Sequence, residues 1–307
     1  MTAVHVIHEN PEWLPPFAEA FDEAGVPWVD WYLDEGVIDL DDEPPDGVFY
    51  SRMSASAHTR GHVAAKDHTR SVLSWLESHG RTVVNGRRVI ELEMSKVDQH
   101  AALRASGFDV PRTIAVVGAD ALRREAKRME LPFITKHNQG GKGLGVRRFD
   151  SLEAFDAHLD GPDVERPADH VWLLQEYVEP AEPHITRVEI VGGEFLYALT
   201  ADTSDGFELC PADECAVGDE LCPTDESGSG RFHWRAGFDD PIVDRYLAFA
   251  ERWGIGIAGF ELIEAADGRV VTYDINTNTN YNPVVEREAG RSGPAAVARY
   301  LGSLLDR

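Results

Sequence analysis

Three segments between residues 133 and 276 combine residue types that do chemistry together. The first is FITKHNQGGKGLGV, residues 133–146, where Lys136 sits in an apolar run that opens into Gly140, Gly141, Gly143 and Gly145, with Lys142 among them. Glycines let backbone N–H groups converge on phosphate oxygens with no side chain in the way. A lysine at the end of such a strand can touch both a purine and its α-phosphate. The second is VWLLQEYVEP, residues 171–180, an apolar strand that ends in acids. Its edge backbone can pair with a purine, Glu176 can accept the adenine amino group, and Glu179 can accept ribose hydroxyls. The third is GFELIEAADGRVVTYDIN, residues 259–276, whose AADG turn predicts a hairpin with Glu261 and Asp274 on opposite arms. Asp274 and Asn276 are two apart and share a strand face. Two carboxylates and an amide oxygen form a hard donor set that suits magnesium bridging nucleotide phosphates.

Each segment also has a plainer reading: a flexible hairpin turn, a strand end with solvated acids, a polar sheet face. Order and spacing favour the joint reading, an ATP site that is neither the G-x-x-x-x-G-K-[ST] loop nor a protein kinase. Arg187 follows the second segment and can neutralise a γ-phosphate or an acyl phosphate, or form a surface ion pair with Glu189 or Glu176. The run 276–282 holds four asparagines, among them Asn278 and Asn280, either as turn geometry or as a pocket lining. SRMSASAHTRGH, residues 51–62, carries Arg52, His58, Arg60 and His62 beside a strand end, where parallel sheets face ligand crevices.

With 54 acidic and 29 basic residues, the net charge is −25 over 307 residues. Such a surface repels nucleic acid, and an anionic nucleotide needs a local basic funnel, for which Lys96, Lys136, Lys142, Arg147 and Arg148 are candidates. No run is long and apolar enough for a membrane span, and no signal peptide is read at the start, so a cytoplasmic location is expected. Cys210, Cys215 and Cys222 lack the close knuckle spacing of common zinc sites. With His233 they are a weaker candidate for a metal than for ordinary loop cysteines.

Alternating strands and helices over residues 1–93 predict a small parallel α/β unit. Residues 94–180 read as a small central unit whose loop mobility the glycines allow, and 181–307 as a strand-rich unit with the metal trio. Within the last, residues 203–237 form a long irregular stretch.

On these segments the chain resembles ATP-grasp proteins, in particular the branch of RimK-type glutamate ligases and glutathione synthetase. The resemblance covers nearly the whole chain. It implies a Rossmann-like N-terminal α/β domain, a central lid and a C-terminal mixed-sheet domain. MSKVDQHAAL implies a nucleotide-binding Lys96. FITKHNQGGKGLGV implies Lys136 and the phosphate loop. QEYVEP implies an adenine hinge of Glu176 with the backbone of Tyr177 and Val178. ITR implies Arg187, and GFEL with DIN implies Glu261, Asp274 and Asn276 as magnesium (or manganese) ligands. The chain departs from the family pattern in four places. The two metal acids are exchanged, Ile185 stands where an aspartate is expected, the family's Asn-x-x-Pro-Gly turn is absent, and the cysteine-bearing stretch replaces the family's arginine-rich segment over the phosphates and substrate. The expected activity is ATP-dependent ligation of a carboxylate to an amine, on an amino acid or a peptide, with Arg52, His58, Arg60, Asn278 and Asn280 near the substrate. The alternatives are a ligase that modifies a peptide or protein tail and a non-catalytic or regulatory ATP-binding protein of the same fold. A homo-oligomer is left open.

Overall fold

The computed structural model describes residues 2–140, 145–162, 164–204 and 230–306. Four strands, β1 (Ala3–His8), β2 (Trp28–Tyr32), β3 (Gly47–Ser51) and β4 (Thr82–Val84), form a parallel sheet in the order β2-β1-β3-β4. Strand alternation sends successive side chains to opposite faces. In β1, Ile7 packs with Phe49, Leu73 and Leu76 under helix α2 (Ala65–Ser78). Val4 and Val6 face the other way, against Phe17 and Phe21 of α1 (Pro15–Glu23) and Val297 and Leu301 of the last helix. That second core also takes in Tyr197, Leu199 and Ile257 of the C-terminal sheet, so the two sheets share apolar packing.

The central sheet is antiparallel in the order β5-β8-β6-β7: β5 (Thr113–Val116), β6 (Phe133–His137), β7 (Arg147–Phe149) and β8 (Trp172–Glu176). Helices α5 (Ala119–Ala126) and α6 (Leu152–Leu159) cover one face, through Leu122 and Phe155 against Phe133, Phe149 and Leu174. The glycine segment therefore connects two neighbouring antiparallel strands, β6 and β7.

The C-terminal sheet runs β11-β10-β9-β12-β13, from β9 (His184–Val191), β10 (Glu194–Asp202), β11 (Phe232–Trp234), β12 (Ile257–Glu264) and β13 (Val270–Asn276). Its ladders are antiparallel, with one isolated parallel bridge from Asp109 to Val271 at the β13 edge. Helices α3 (Arg87–Met94), α4 (Lys96–Ala105) and α7 (Ile242–Trp253) pack on one face through Leu92, Leu103, Tyr246 and Phe249 against Val188, Phe260 and Ile275.

Helices α3 and α8 (Pro283–Ala289) and strand β11 do not emerge from the sequence pattern. The α8 start lies behind the asparagine run. Asn282 is its N-cap, its Oδ1 accepting from the N–H groups of Val284 and Val285, and Pro283 fills the first helical position. Strand β11 is three residues inside the stretch read as irregular, fastened to β10 at Leu199–Trp234 and Ala201–Phe232.

Candidate active site

Strand register places the chemistry. Arg187 on β9 lies opposite Glu261 on β12, and Glu261 lies opposite Asp274 on β13, so three charged residues form one row across the sheet. In the next row Glu189, Gly259 and Asn276 are aligned the same way. Gly259 has a spatial reason to be glycine. A Cβ there would lie 2.6 Å from Arg187 Nε, in the path of the guanidinium as it reaches Glu189.

A bulge between Glu261 and Leu262 gives β13 one extra residue at this point, Tyr273. Adjacent strand residues normally point to opposite faces. Here Tyr273 still donates its hydroxyl to Glu261 Oε2 at 2.7 Å while Asp274 lies across from the same glutamate. Asn276 donates from Nδ2 to Glu261 Oε1 at 3.0 Å, which leaves its amide oxygen for another partner. Burial, then the charge of Asp274, push the Glu261 carboxyl up. Burial opposes ionisation of Asp274 too, but Lys96 and Lys136 outweigh it and hold that carboxyl below its usual range. The Glu261 and Asp274 side chains remain 14% and 18% exposed, so both can be reached by a ligand.

Lys96, the first residue of α4, forms an ion pair with Asp274. Its helix is aimed by two side chains. Asn138 Oδ1 accepts from the Val97 N–H at 2.9 Å, and the Ser95 hydroxyl caps the first turn. Gln99, fully buried, exchanges hydrogen bonds with the backbone of Ile275, which ties α4 to β13 beside the acids. His100 donates from Nε2 to the Tyr273 carbonyl, and burial pushes its pKa down to about 3, so it is neutral at ordinary pH.

Lys136 is buried in β6, with its ammonium 6.0 Å from the centre of the Tyr273 ring. Burial, then Lys96, push its pKa down to about 8, and Asp274 and Glu261 oppose this. Gly145 has a φ of +69°, and a Cβ there would meet the His137 ring at 2.4 Å. Gly140 precedes the loop. Gly141, Lys142 and Gly143 lie outside the described residues.

The end of β8 is braced. Both Glu176 carboxylate oxygens are engaged, Oε1 by Arg269 at 2.6 Å and Oε2 by the Arg112 N–H at 2.9 Å. A purine amino group reaching Glu176 would have to displace one of them. Arg148 lies over the Tyr177 ring at 4.4 Å and pairs with Asp150, while Val178 is buried and the Glu179 carbonyl accepts from Ala266.

Arg187 is 8% exposed, and its ion pair with Glu189 is internal rather than on the surface: Nε donates to Glu189 Oε1 at 2.7 Å, and Nη1 lies 3.3 Å from Glu261 Oε1. Nη2 donates to Thr279. One residue on, Asn280 accepts from Arg52, which is buried and lies over Phe17 at 3.8 Å. Residues 277–282 are all buried, and Asn278 Oδ1, Asn280 Nδ2 and Arg52 Nη1 have no hydrogen-bond partner among the described residues. His58 and Arg60 stand in a short turn beyond β3. His58 Nδ1 lies 3.2 Å from the Ala55 carbonyl, and Arg60 makes a two-point ion pair with Glu9.

Glu189, Tyr273, Thr279 and Glu93 join this site without a motif to announce them. Alternation alone puts Glu189 on the face of Arg187. Glu93 accepts from the N–H and hydroxyl of Thr277 at 2.8 and 2.9 Å. The cysteine trio lies outside the described residues, and His233 is on β11, opposite Thr200. Among the described residues no three His, Cys, Asp or Glu side chains form a metal-holding group. A cation here would rest on two carboxylates and an amide, and the Glu261, Asp274 and Asn276 oxygens fit a hard divalent ion.

No protein-family model matches the chain. Over 238 residues, 76% of this chain, it is 24% identical to beta-citrylglutamate synthase B of Danio rerio, and over 240 residues 22% identical to that of Homo sapiens. The chain spans about half the length of these curated relatives, 54% and 56%. The solved ATP-grasp ligase PsnB, complexed with a minimal precursor, superposes with a TM-score of 0.67 at 19% identity, covering 98% of this chain and 99% of that one. D-cycloserine synthetase DcsG gives 0.66 at 18%, covering 99% and 100%, and an ATP-grasp RimK domain protein of Sphaerobacter thermophilus gives 0.64 at 17%, covering 97% and 99%. The chain has the ATP-grasp fold, as the sequence resemblance implies. Among the described residues, no helix is long and apolar enough to cross a membrane.

Proposed function

We propose that the protein is an ATP-dependent carboxylate–amine ligase that releases ADP and phosphate. The observation that carries this is the row Arg187–Glu261–Asp274 across three strands, with Lys96 on its last acid and Lys136 beside it. Anion-binding and cation-binding groups thus meet on one sheet face. In this reading the β8 strand end and the backbone of Tyr177 and Val178 hold the purine. Glu176 braces that strand, Glu179 takes the ribose, and Lys96, Lys136 and the segment from Gly140 to Gly145 hold the phosphates. Magnesium, held by Glu261, Asp274 and Asn276, would supply neutralisation of β- and γ-phosphate charge. The acceptor carboxylate attacks the γ-phosphorus and ADP leaves. Arg187 stabilises charge on the transferred group. The amine then attacks the acyl carbon and phosphate departs. Positioning and charge neutralisation account for the rate, as in phosphoryl transfer generally. Arg52, His58 and Arg60, which follow β3 of the parallel sheet, and Asn278 and Asn280, which follow β13, are assigned to the substrate side.

Two substrate classes fit, free amino or dicarboxylic acids and peptides. The second is favoured by the solved neighbours bound to precursor peptides, PsnB and the macrocyclase MdnC. The test is ADP release from ATP and magnesium, with pooled amino acids, dicarboxylates and short acidic peptides added separately. Stimulation by one pool is expected and names the class. ATP binding without stimulation by any pool would remove the ligase reading.

Lys136 gives this reading a pH signature. Its buried ammonium loses its proton as pH rises through about 8, and a neutral amine attracts phosphate less. ADP affinity is therefore expected to fall several-fold, roughly up to tenfold per pH unit, between pH 8 and 9. Adenosine affinity should stay flat. Titration calorimetry at a series of pH values reads this, and a flat ADP profile would place Lys136 away from the phosphates.

A further inference from the structure

Asn138 and Gln139, at the exit of β6, are hydrogen-bonded to the start of α4, to Asp169 and to α2 of the N-terminal unit. Asn138 accepts from the backbone N–H groups of Lys96 and Val97, and its Nδ2 donates to Asp169 at 2.7 Å. Gln139 is held from the opposite side. Its Oε1 accepts from the ammonium of Lys66 at 2.5 Å. Lys66 is the second residue of α2, in the N-terminal unit, and is 7% exposed. Its helix is anchored by Val72, Leu73 and Leu76 in the core of the parallel sheet, so the lysine projects from a rigid element.

The pairing is unusual in so acidic a chain. A buried ammonium normally meets a carboxylate, and this one meets an amide. Asp67, its neighbour, is exposed and pairs with Arg70. Asp169 is near enough to favour the charged lysine, but both its oxygens are engaged, by Asn138 and by the Val171 N–H. Arg70 and His58 are the other charged or titratable groups around Lys66. The bond fixes which end of the Gln139 amide faces α2. Gln139 is three residues after Lys136 and immediately precedes Gly140.

We propose that Lys66 is a positioning residue for the nucleotide phosphates: through Gln139 the N-terminal unit holds the entrance of the glycine segment, and phosphate affinity depends on that hold. The assignment rests on the ATP-site reading above. Lys66 acts through Gln139 and the backbone, so its removal weakens ligands that carry phosphates and spares those that do not.

The test is binding of ADP with magnesium, and of adenosine, to the full chain by calorimetry and ligand-observed NMR. For Lys66→Met and, separately, Gln139→Leu, ADP affinity is expected to fall about tenfold, the scale of one charge-assisted hydrogen bond, with adenosine affinity unchanged. The double variant should lose no more than either single one, and Lys66→Arg should recover part of the loss. Unchanged ADP affinity in the folded Gln139→Leu variant overturns the proposal, as does an equal loss for adenosine and ADP. A wild-type protein that binds neither ligand overturns the ATP-site reading and this proposal with it. Wild-type binding with insensitive variants overturns this proposal alone. Gln139→Leu keeps the test decisive if Lys66→Met does not fold.

Discussion

Asp274→Asn is expected to reduce ATP-dependent ADP formation by at least about 10²–10³-fold, the scale of losing one preorganised charge at a phosphoryl-transfer centre. It should leave the fold intact. The substitution is nearly isosteric, and the asparagine Oδ1 can still accept from the Ile275 N–H, which Asp274 Oδ1 now does at 2.8 Å. What it removes is charge, and two consequences follow. The oxygen set with Glu261 and Asn276 loses half its negative charge, which weakens a divalent ion most. Lys96 loses its ion partner, but its ammonium is near enough to Glu93 to favour that carboxylate. The Lys96 side chain is only 11% exposed, so a lowered melting temperature in a still folded variant is expected. ADP release by coupled assay, beside a melting curve, checks both halves. Full turnover by Asp274→Asn would remove the acid from the metal set. A collapsed melting curve would make it structural.

Much of this site was legible because hairpin and alternation rules act locally. Asp274 and Asn276 are two apart on one strand, and an AADG turn puts Glu261 on the opposite arm, so a few residues of contiguous sequence bring the trio to one hairpin, while the bulge aligns Glu261 with Asp274 rather than Tyr273. The same reasoning gave β6 before the glycines. What it missed depends on contacts between distant segments. The sequence offers Glu189 as a surface partner of Arg187, and only the approach of residue 279 and the vacancy left by Gly259 make the pair internal. The bulge that turns Tyr273 onto Glu261 has no local signature. Asn282 looked like one more member of an asparagine run until its role as a helix cap was seen in three dimensions. Arg52 was placed near a substrate because it follows a strand end. Its contact with Asn280, 228 residues away, is tertiary information.

Arg187→Met is expected to cost both stability and turnover, and the two losses can be separated. Glu189 is 1% exposed and has Arg187 and Thr279 as its partners. Removing one member of a buried ion pair leaves an uncompensated charge and typically costs about 3–5 kcal/mol. Glu261 loses a cation too, though Tyr273 and Asn276 still donate to it. The penalty has a pH dependence whose sign follows from burial. Burial already pushes the Glu189 carboxyl above its usual value, with Arg187 pulling it back. Without the guanidinium the folded-state pKa rises further above that of the unfolded chain. The folded variant then favours the protonated acid, so its deficit is smallest below about pH 4–5, where both states are protonated. The deficit grows as pH rises through the elevated folded value. Melting curves should therefore show a larger difference from wild type at pH 8 than at pH 5. The double variant Arg187→Met, Glu189→Met replaces the pair with apolar side chains and leaves no orphan charge. It should regain most of the lost stability and lose the pH dependence. Turnover separates the roles. If Arg187 acts on the transferred phosphoryl group, the stable double variant remains as inactive as the single one. If Arg187 only neutralises Glu189, activity returns with stability, and the charge stabilisation assigned to it must come from Lys96 and Lys136.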